Sequence, residues 1–245
     1  MMRSALITGA SRGIGRGIAM ELAGQGFGLT VTARREQDLK DLAAALKDNG
    51  APEVHYRTAD LVDREASAAV VAEHQRCFGT LNALVLSGGV GTAGPIGDLP
   101  AHRFDKTFAV NVDSAMAIIQ AALPMLRAGA EADPTHGSRV IALASITGVY
   151  AEPNLAAYGA AKAALISLME TLNAEESARG VMGTAIAPAF VQTDMSAWTT
   201  DTVPADSMIQ VSDIVAVVRM LVDLGRTASI TKIVVGRSGT SGYQA

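Results

Sequence analysis

Short apolar runs alternate with segments of helical periodicity along nearly the whole chain, and few architectures accommodate that order. A strand followed by a crossover helix and another strand returns parallel to the first, so both faces of the sheet become covered. The runs are Ser4–Thr8, Gly28–Thr32, Val54–Thr58, Ala83–Leu86, Arg139–Ala144, Val181–Ala187 and Lys232–Val235. Between them lie helical stretches near Gly13–Ala23, Glu36–Lys47, Asp63–Phe78, Arg103–Leu126, Leu155–Arg179 and Ser212–Leu221, the first with Ile14, Ile18 and Leu22 on one face. The expected fold class is α/β, a doubly wound, seven-stranded parallel sheet flanked by helices in three layers. No repeat or linker interrupts the series, so residues 1–245 read as one domain. The long connections are Gly88–Pro100, the acidic loop Gly129–Gly137 and Ala189–Gln210. Ligands in such sheets bind beyond the carboxyl ends of the strands, which makes the first and third candidate site borders and 189–210 the candidate substrate loop.

Charge and composition exclude several classes. Twenty Lys+Arg against 24 Asp+Glu give a net charge of -4, and no basic run exceeds Arg34-Arg35, so nucleic acid is not expected as a partner. The single cysteine, Cys77, cannot form an internal disulfide, and His55, His74, His102 and His136 are too far apart in sequence for a local metal motif. A reducing compartment and no metal are the expectation. Apolar runs such as Val181–Val191 and Ile214–Val218 fall short of the roughly 20 residues that span a bilayer. After Arg3 the apolar run Ala5-Leu6-Ile7 meets Thr8-Gly9, unlike a signal peptide. The sequence reads as cytoplasmic, without a membrane partner.

The first strand runs into Thr8-Gly9-Ala10-Ser11-Arg12-Gly13-Ile14-Gly15 and then a helix. Glycines there permit a tight turn and close main-chain approach to a pyrophosphate, while the helix N-terminus offers unpaired N–H donors. This is a dinucleotide cradle. About 20 residues further on, where an acid would bind the ribose hydroxyls of NAD(H), the chain reads Thr32-Ala33-Arg34-Arg35. Two guanidinium groups suit a 2′-phosphate, with Arg12 as a further charge, so NADP(H) is expected over NAD(H). The alternative is that Arg34 and Arg35 are solvated surface residues beside Glu36.

Tyr158 and Lys162 lie four apart in an alanine-rich helical stretch, on one face. A tyrosine of pKa about 10 becomes a useful base only if the phenolate is favoured by roughly 4 kcal/mol, the scale of an ammonium about 4 Å away at an effective dielectric near 20. Ser145 follows the strand Arg139–Ala144, at the same sheet edge as the glycine loop, where its hydroxyl can donate to a substrate oxygen or serve as a turn or cap residue. Asn111 sits inside an apolar helical run, either in a polar site or as an internally paired core amide.

In order and spacing, Thr8-Gly9 through Gly15, Asp60-Leu61, Asn111, Ser145 and Tyr158 with Lys162 resemble the compact, classical short-chain dehydrogenase/reductases over residues 2 to about 237. The resemblance implies a Rossmann-type fold and a tetrad. Tyr158 would be the general acid/base, Lys162 would lower its pKa and hold the nicotinamide ribose, Ser145 would polarise the substrate oxygen, and Asn111 would support a relay water. It also implies cofactor contacts from Gly9, Ser11, Arg12, Gly13, Ile14, Gly15, Asp60, Leu61, Gly89, Val110, Pro188 and Thr193, and homotetramers or homodimers built from Arg103–Leu126 and Leu155–Arg179. A helix-capping role is the alternative for Asp60. The sequence departs from the family at Leu86-Ser87-Gly88-Gly89, at Pro188-Ala189 and at Gly236-Arg237-Ser238-Gly239-Thr240.

The expected activity is NADP(H)-dependent hydride transfer between nicotinamide and a small carbonyl or secondary alcohol. Two alternatives stand beside it. A 3-oxoacyl carrier protein reductase would use Arg179 to receive an acidic carrier, although Glu131, Asp133 and His136 are poorly suited to that surface. A non-catalytic NADP(H) sensor would share the fold without the chemistry. Met195, Trp198, Met208 and Ile209 suggest an apolar substrate or a loop packed on the core.

Overall fold

The computed structural model describes residues 2–243. Its strands are β1 (Ser4–Thr8), β2 (Gly28–Ala33), β3 (Val54–Thr58), β4 (Ala83–Leu86), β5 (Ser138–Leu143), β6 (Val181–Pro188) and β7 (Lys232–Val235). The main helices are α1 (Gly13–Gly24), α2 (Glu36–Asp48), α3 (Arg64–Phe78), α4 (Ala101–Phe108), α5 (Ser114–Ala132), α6 (Ala156–Glu176) and α7 (Val211–Asp223). All strand pairs are parallel, in the order β3-β2-β1-β4-β5-β6-β7. The order reverses direction at β1 and β4, which makes the crevice between their carboxyl ends the topological switch point of a Rossmann-type sheet.

Strand periodicity sorts the core into two layers. On β1, Ala5 and Ile7 face one side and Leu6 the other; on β5, Ile141 and Leu143 oppose Val140 and Ala142. The first side packs on Ile18 and Leu22 of α1, Leu39 and Leu46 of α2, and Ile214 and Val218 of α7. The second packs on Val70 of α3, Ile118 of α5, and Leu165 and Met169 of α6. Strands β1, β4, β5 and β6 are buried at every residue, whereas β7 at the edge alternates between exposed and partly buried positions. That contrast is the pattern of a sheet covered on both faces with open margins.

The strand expectations stand within one residue at each end. The expected helix Arg103–Leu126 is instead three pieces: α4, a π-helical turn over Ala109–Asp113, and α5. α5 continues through Ala132, so the first half of the expected loop Gly129–Gly137 is helical. Gly129 is there for closeness rather than for a turn, because a Cβ would overlap the Leu81 carbonyl. The whole helical stretch 101–132 has the length and apolarity of a bilayer span, with half of its most apolar window buried. Ile118, Ala122 and Leu126 of that stretch belong to the core, whereas Phe104 and Met116 are exposed.

Candidate active site

A cleft of about 580 Å³ opens along the carboxyl ends of the strands. Its floor at one end is the turn from β1 into α1. Gly9 has φ +63 and Gly13 φ +53, and a Cβ on Gly9 would come within 2.8 Å of the Gly88 backbone. A Cβ on Gly15 would overlap the Gly9 carbonyl. α1 has no side-chain cap hydrogen bond and no acid in its first turn, so its N-terminal donors and positive dipole end lie open at the cleft. The turn is braced across the switch point by Thr8, whose Oγ1 accepts from Ser87 N and Gly88 N, both at 3.1 Å. This brace was not read from the sequence, since a threonine ending a strand is ordinary composition. It ties β1 to the Ser87-Gly88 segment where the sequence departs from the family.

Gly9, Ser11, Arg12, Gly13, Ile14, Gly15, Arg34, Asp60, Leu61, Gly89, Val110, Pro188 and Thr193 all line the cleft. Arg35 does not. It lies outside the lining, and its Nη2 is 3.5 Å from Asp38 on the exposed first turn of α2, because Arg35 is the residue that leads directly into that helix. Arg34 alone of the pair faces the cleft. Arg12 is paired with Asp194 at 3.2 Å, with both side chains at least two-thirds exposed. Asp60 is not the α3 cap: its Oδ1 accepts from Val62 N, while Asp63 accepts from Glu65 N and Ala66 N.

At the other end of the cleft, α6 carries Tyr158 and Lys162, and the end of β5 carries Ser145. Lys162 is 5% exposed, its Nζ donating to Leu143 O at 2.7 Å and lying 5.5 Å from the Tyr158 ring centre. Burial lowers its pKa to about 8. Where the resemblance implies a pKa lowered by Lys162, the Tyr158 phenol is instead raised to about 12 by burial, partly offset by its hydrogen bond with the Ser145 hydroxyl. Ser145 Oγ accepts from Thr147 N at 3.3 Å and Thr147 Oγ1 at 3.0 Å, which leaves its own proton to be donated elsewhere.

Asn111 sits in the π-helical turn, just behind the lining. Its Nδ2 donates to Thr107 O at 2.9 Å and Val90 O at 3.1 Å. Its Oδ1 is buried without a partner, and a Cβ on Gly89 would lie 2.8 Å from that oxygen and 3.4 Å from Lys162 Nζ. The unpaired oxygen and the buried ammonium therefore border the same small space beside Gly89, a setting for an ordered water.

The remaining wall is apolar with a basic margin. Leu155, Phe190, Met195 and Trp198 line it, with Phe190 and Trp198 edge to face at 6.1 Å, and Arg103 and Lys106 add two cations from α4. Met208 and Ile209 do not contribute. They are 5% and 7% exposed, and Ile209 bridges to Val191 inside the core. Sequence reading missed Arg103 and Lys106, because a basic pair on an amphipathic helix is common on any surface.

The model of the family described as short chain dehydrogenase matches residues 3–203. The chain belongs to the short-chain dehydrogenase family. Members are oxidoreductases that use a nicotinamide cofactor and act on alcohol or carbonyl groups of small molecules. Among curated relatives, the 3-oxoacyl-(acyl-carrier-protein) reductase FabG of Staphylococcus aureus (strain Mu50) is 30% identical over 213 residues, 86% of this chain and 83% of the relative. An uncharacterised oxidoreductase of Staphylococcus saprophyticus is 31% identical over 192 residues, 78% of this chain and 80% of the relative. The solved structure of an alcohol dehydrogenase from the archaeon Thermococcus sibiricus, complexed with 5-hydroxy-NADP, superposes with a TM-score of 0.86. It covers 100% of this chain and 99% of that one, and at 24% identity this is a likeness of fold.

Proposed function

We propose that this protein is an NADP(H)-dependent oxidoreductase that moves hydride between the nicotinamide and a ketone or secondary alcohol, with Tyr158 exchanging the accompanying proton. The observation that carries the proposal is the convergence of Tyr158, Ser145 and buried Lys162 in the same cleft as an uncapped, glycine-lined helix N-terminus. The cradle fits a dinucleotide because the places where Cβ atoms would clash are those where its main chain must come close. The nicotinamide, when bound, supplies or accepts hydride at C4.

The chain's own groups handle the oxygen and the proton. With its pKa raised to about 12, the phenol is a protonated acid at neutral pH, suited to donating a proton to the oxygen of a carbonyl being reduced. Ser145, whose lone pairs are engaged by Thr147, directs its hydroxyl proton to that same oxygen. The Lys162 ammonium stabilises the phenolate left behind, and the space between Lys162 and Asn111 Oδ1 gives a water a route for returning the proton. Arg34 is positioned to meet a 2′-phosphate. Arg12 can join it, because an exposed ion pair such as Arg12–Asp194 is worth only about 0–1 kcal/mol. The NADP analogue bound to the Thermococcus enzyme supports this choice of cofactor.

The similarity to FabG supports a second reading, reduction of a 3-oxoacyl group on an acidic carrier protein. Against it, Arg179 is engaged by Glu176 at 3.1 Å and His136 by Asp133 at 3.1 Å, which lessens the free positive charge that surface could offer. The apolar wall of Leu155, Phe190, Met195 and Trp198 favours a small, largely apolar carbonyl compound. The test is a panel of ketones and 3-oxoacyl thioesters followed by the absorbance of NADPH, beside Tyr158→Phe. Turnover is expected to fall by about 100- to 10,000-fold in the variant with NADPH binding retained. Undiminished turnover would refute the role of Tyr158, and NADPH binding without turnover on any substrate would favour a sensor.

A further inference from the structure

We propose that His55, Glu73 and Cys77 form a Zn2+ site that clips the edge strand β3 to α3, at a distance in the fold from the dinucleotide cleft. One ligand atom from each lies within 4.8 Å of the others, and all three residues are partly buried. Glu73 and Cys77 are four apart on the last turns of α3, so they project from one face, and His55 meets them from β3. Neither element alone carries a metal motif. That is why histidine spacing along the sequence led to the opposite expectation.

The donors are an imidazole, a carboxylate and a thiol, a mixture that suits a borderline-soft divalent ion such as Zn2+ and does not suit Ca2+ or Mg2+, which require oxygen. The surroundings are partly arranged for it. Glu53 Oε1 lies 2.6 Å from His55 Nε2, and a carboxylate on a ligand histidine fixes its tautomer and orientation. The ring is backed edge to face by Phe78 at 5.7 Å, which limits water on that side. Cys77 Sγ points at Glu73 Oε1, 3.7 Å away. The Arg76 guanidinium now neutralises Glu73 at 2.6 Å; it is 66% exposed and can swing into solvent when an ion takes its place. On binding, the Cys77 thiol gives its proton to solvent as the metal–sulfur bond forms, and water completes the four positions. The clipped elements are the two joined by the Ala59–Asp63 connection, whose Asp60 and Leu61 line the cleft, so the ion would hold the frame of that wall.

The test uses the full chain, stripped with a chelator and kept reduced. A single Zn2+ per chain is expected to be taken from a chromophoric chelator and to raise the unfolding temperature. Co2+ in its place is expected to give a sulfur-to-cobalt charge-transfer band, which can arise only from Cys77, the sole cysteine. Cys77→Ser should abolish the band, and His55→Gln and Glu73→Gln should each weaken Zn2+ binding by at least about tenfold, with unchanged far-ultraviolet circular dichroism. The reading on wild type needs no variant to fold: no sulfur-to-cobalt band at saturating Co2+ overturns the proposal. Zn2+ affinity that is unchanged in Cys77→Ser overturns it equally.

Discussion

Replacing Lys162 by Met keeps the length of the side chain and removes the ammonium, and the structure fixes two opposite consequences. An ammonium 5.5 Å from the phenol ring, at an effective dielectric near 20, stabilises a phenolate by about 3 kcal/mol. Loss of that interaction should lower the rate of carbonyl reduction on the order of a hundredfold. Stability should move the other way. Burial lowers the lysine pKa from 10.5 to about 8, so holding the charge inside the fold costs about 3 kcal/mol at neutral pH. The lost hydrogen bond to Leu143 O takes back about 1 kcal/mol. Lys162→Met should therefore unfold at the same temperature as wild type or higher, which separates a chemical defect from a folding defect.

The same pKa gives the pH dependence. Below about 8 the lysine is protonated in both folded and unfolded chains and its burial cost is fully present. Above that the folded chain releases the proton first, so the unfolded chain binds more protons and stability rises with pH until about 10, where the raised tyrosine begins to oppose it. The kcat/KM for ketone reduction should be level at neutral pH and fall above about 8 as the ammonium loses its charge. Steady-state kinetics across pH, with wild type and Lys162→Met side by side, read both effects. A variant with the wild-type rate, or one that keeps the break near pH 8, refutes the assignment of that charge to the chemistry.

Arg34→Ala should shift the ratio of kcat/KM for NADPH over NADH by about ten- to a hundredfold, the scale of a charge-assisted hydrogen bond, and Arg35→Ala should leave it unchanged; equal effects of the two would contradict the geometry of the cleft wall. Gly15→Ala forces a methyl group against the Gly9 carbonyl; a loss of about 1–3 kcal/mol in stability, read by urea denaturation, should accompany a raised KM for NADPH. A Gly15→Ala chain with wild-type stability and KM would mean that the turn is not held this tightly.

Much of the fold was legible because strand and helix periods differ, and the all-buried strands carry few polar residues to blur them. What escaped was of two kinds. The π-helical turn at Ala109–Asp113 adds one residue to a helical repeat, a change too small to register in apolar spacing, yet it holds the residue Asn111. Gly129 reads as a breaker in sequence and is a point of close packing in space. In the site, the placement of the cradle glycines and Ser145 at one sheet edge was legible from the strand ends they follow, whereas Tyr158 and Lys162 stood out from ordinary helix surface only through the family resemblance. Arg35 was not separable from Arg34, because which of two adjacent side chains enters a cleft depends on the turn that carries the chain from β2 into α2. The Thr8 brace and the His55, Glu73 and Cys77 cluster join distant segments, which no local pattern encodes.

The reversal of strand order has an architectural consequence. From β1 the chain departs to one flank and from β4 to the other, so no crossover helix can fill the gap above these two neighbours. The hollow thus exists as a by-product of connectivity, without needing a guest to open it. Its floor comes from rigid framework, whereas its far wall comes from the excursion after β6. Rebuilding that excursion beyond Thr193 and Asp194, which meet the cradle at Gly13 and Arg12, should alter which molecule is accepted while leaving the coenzyme's seat intact.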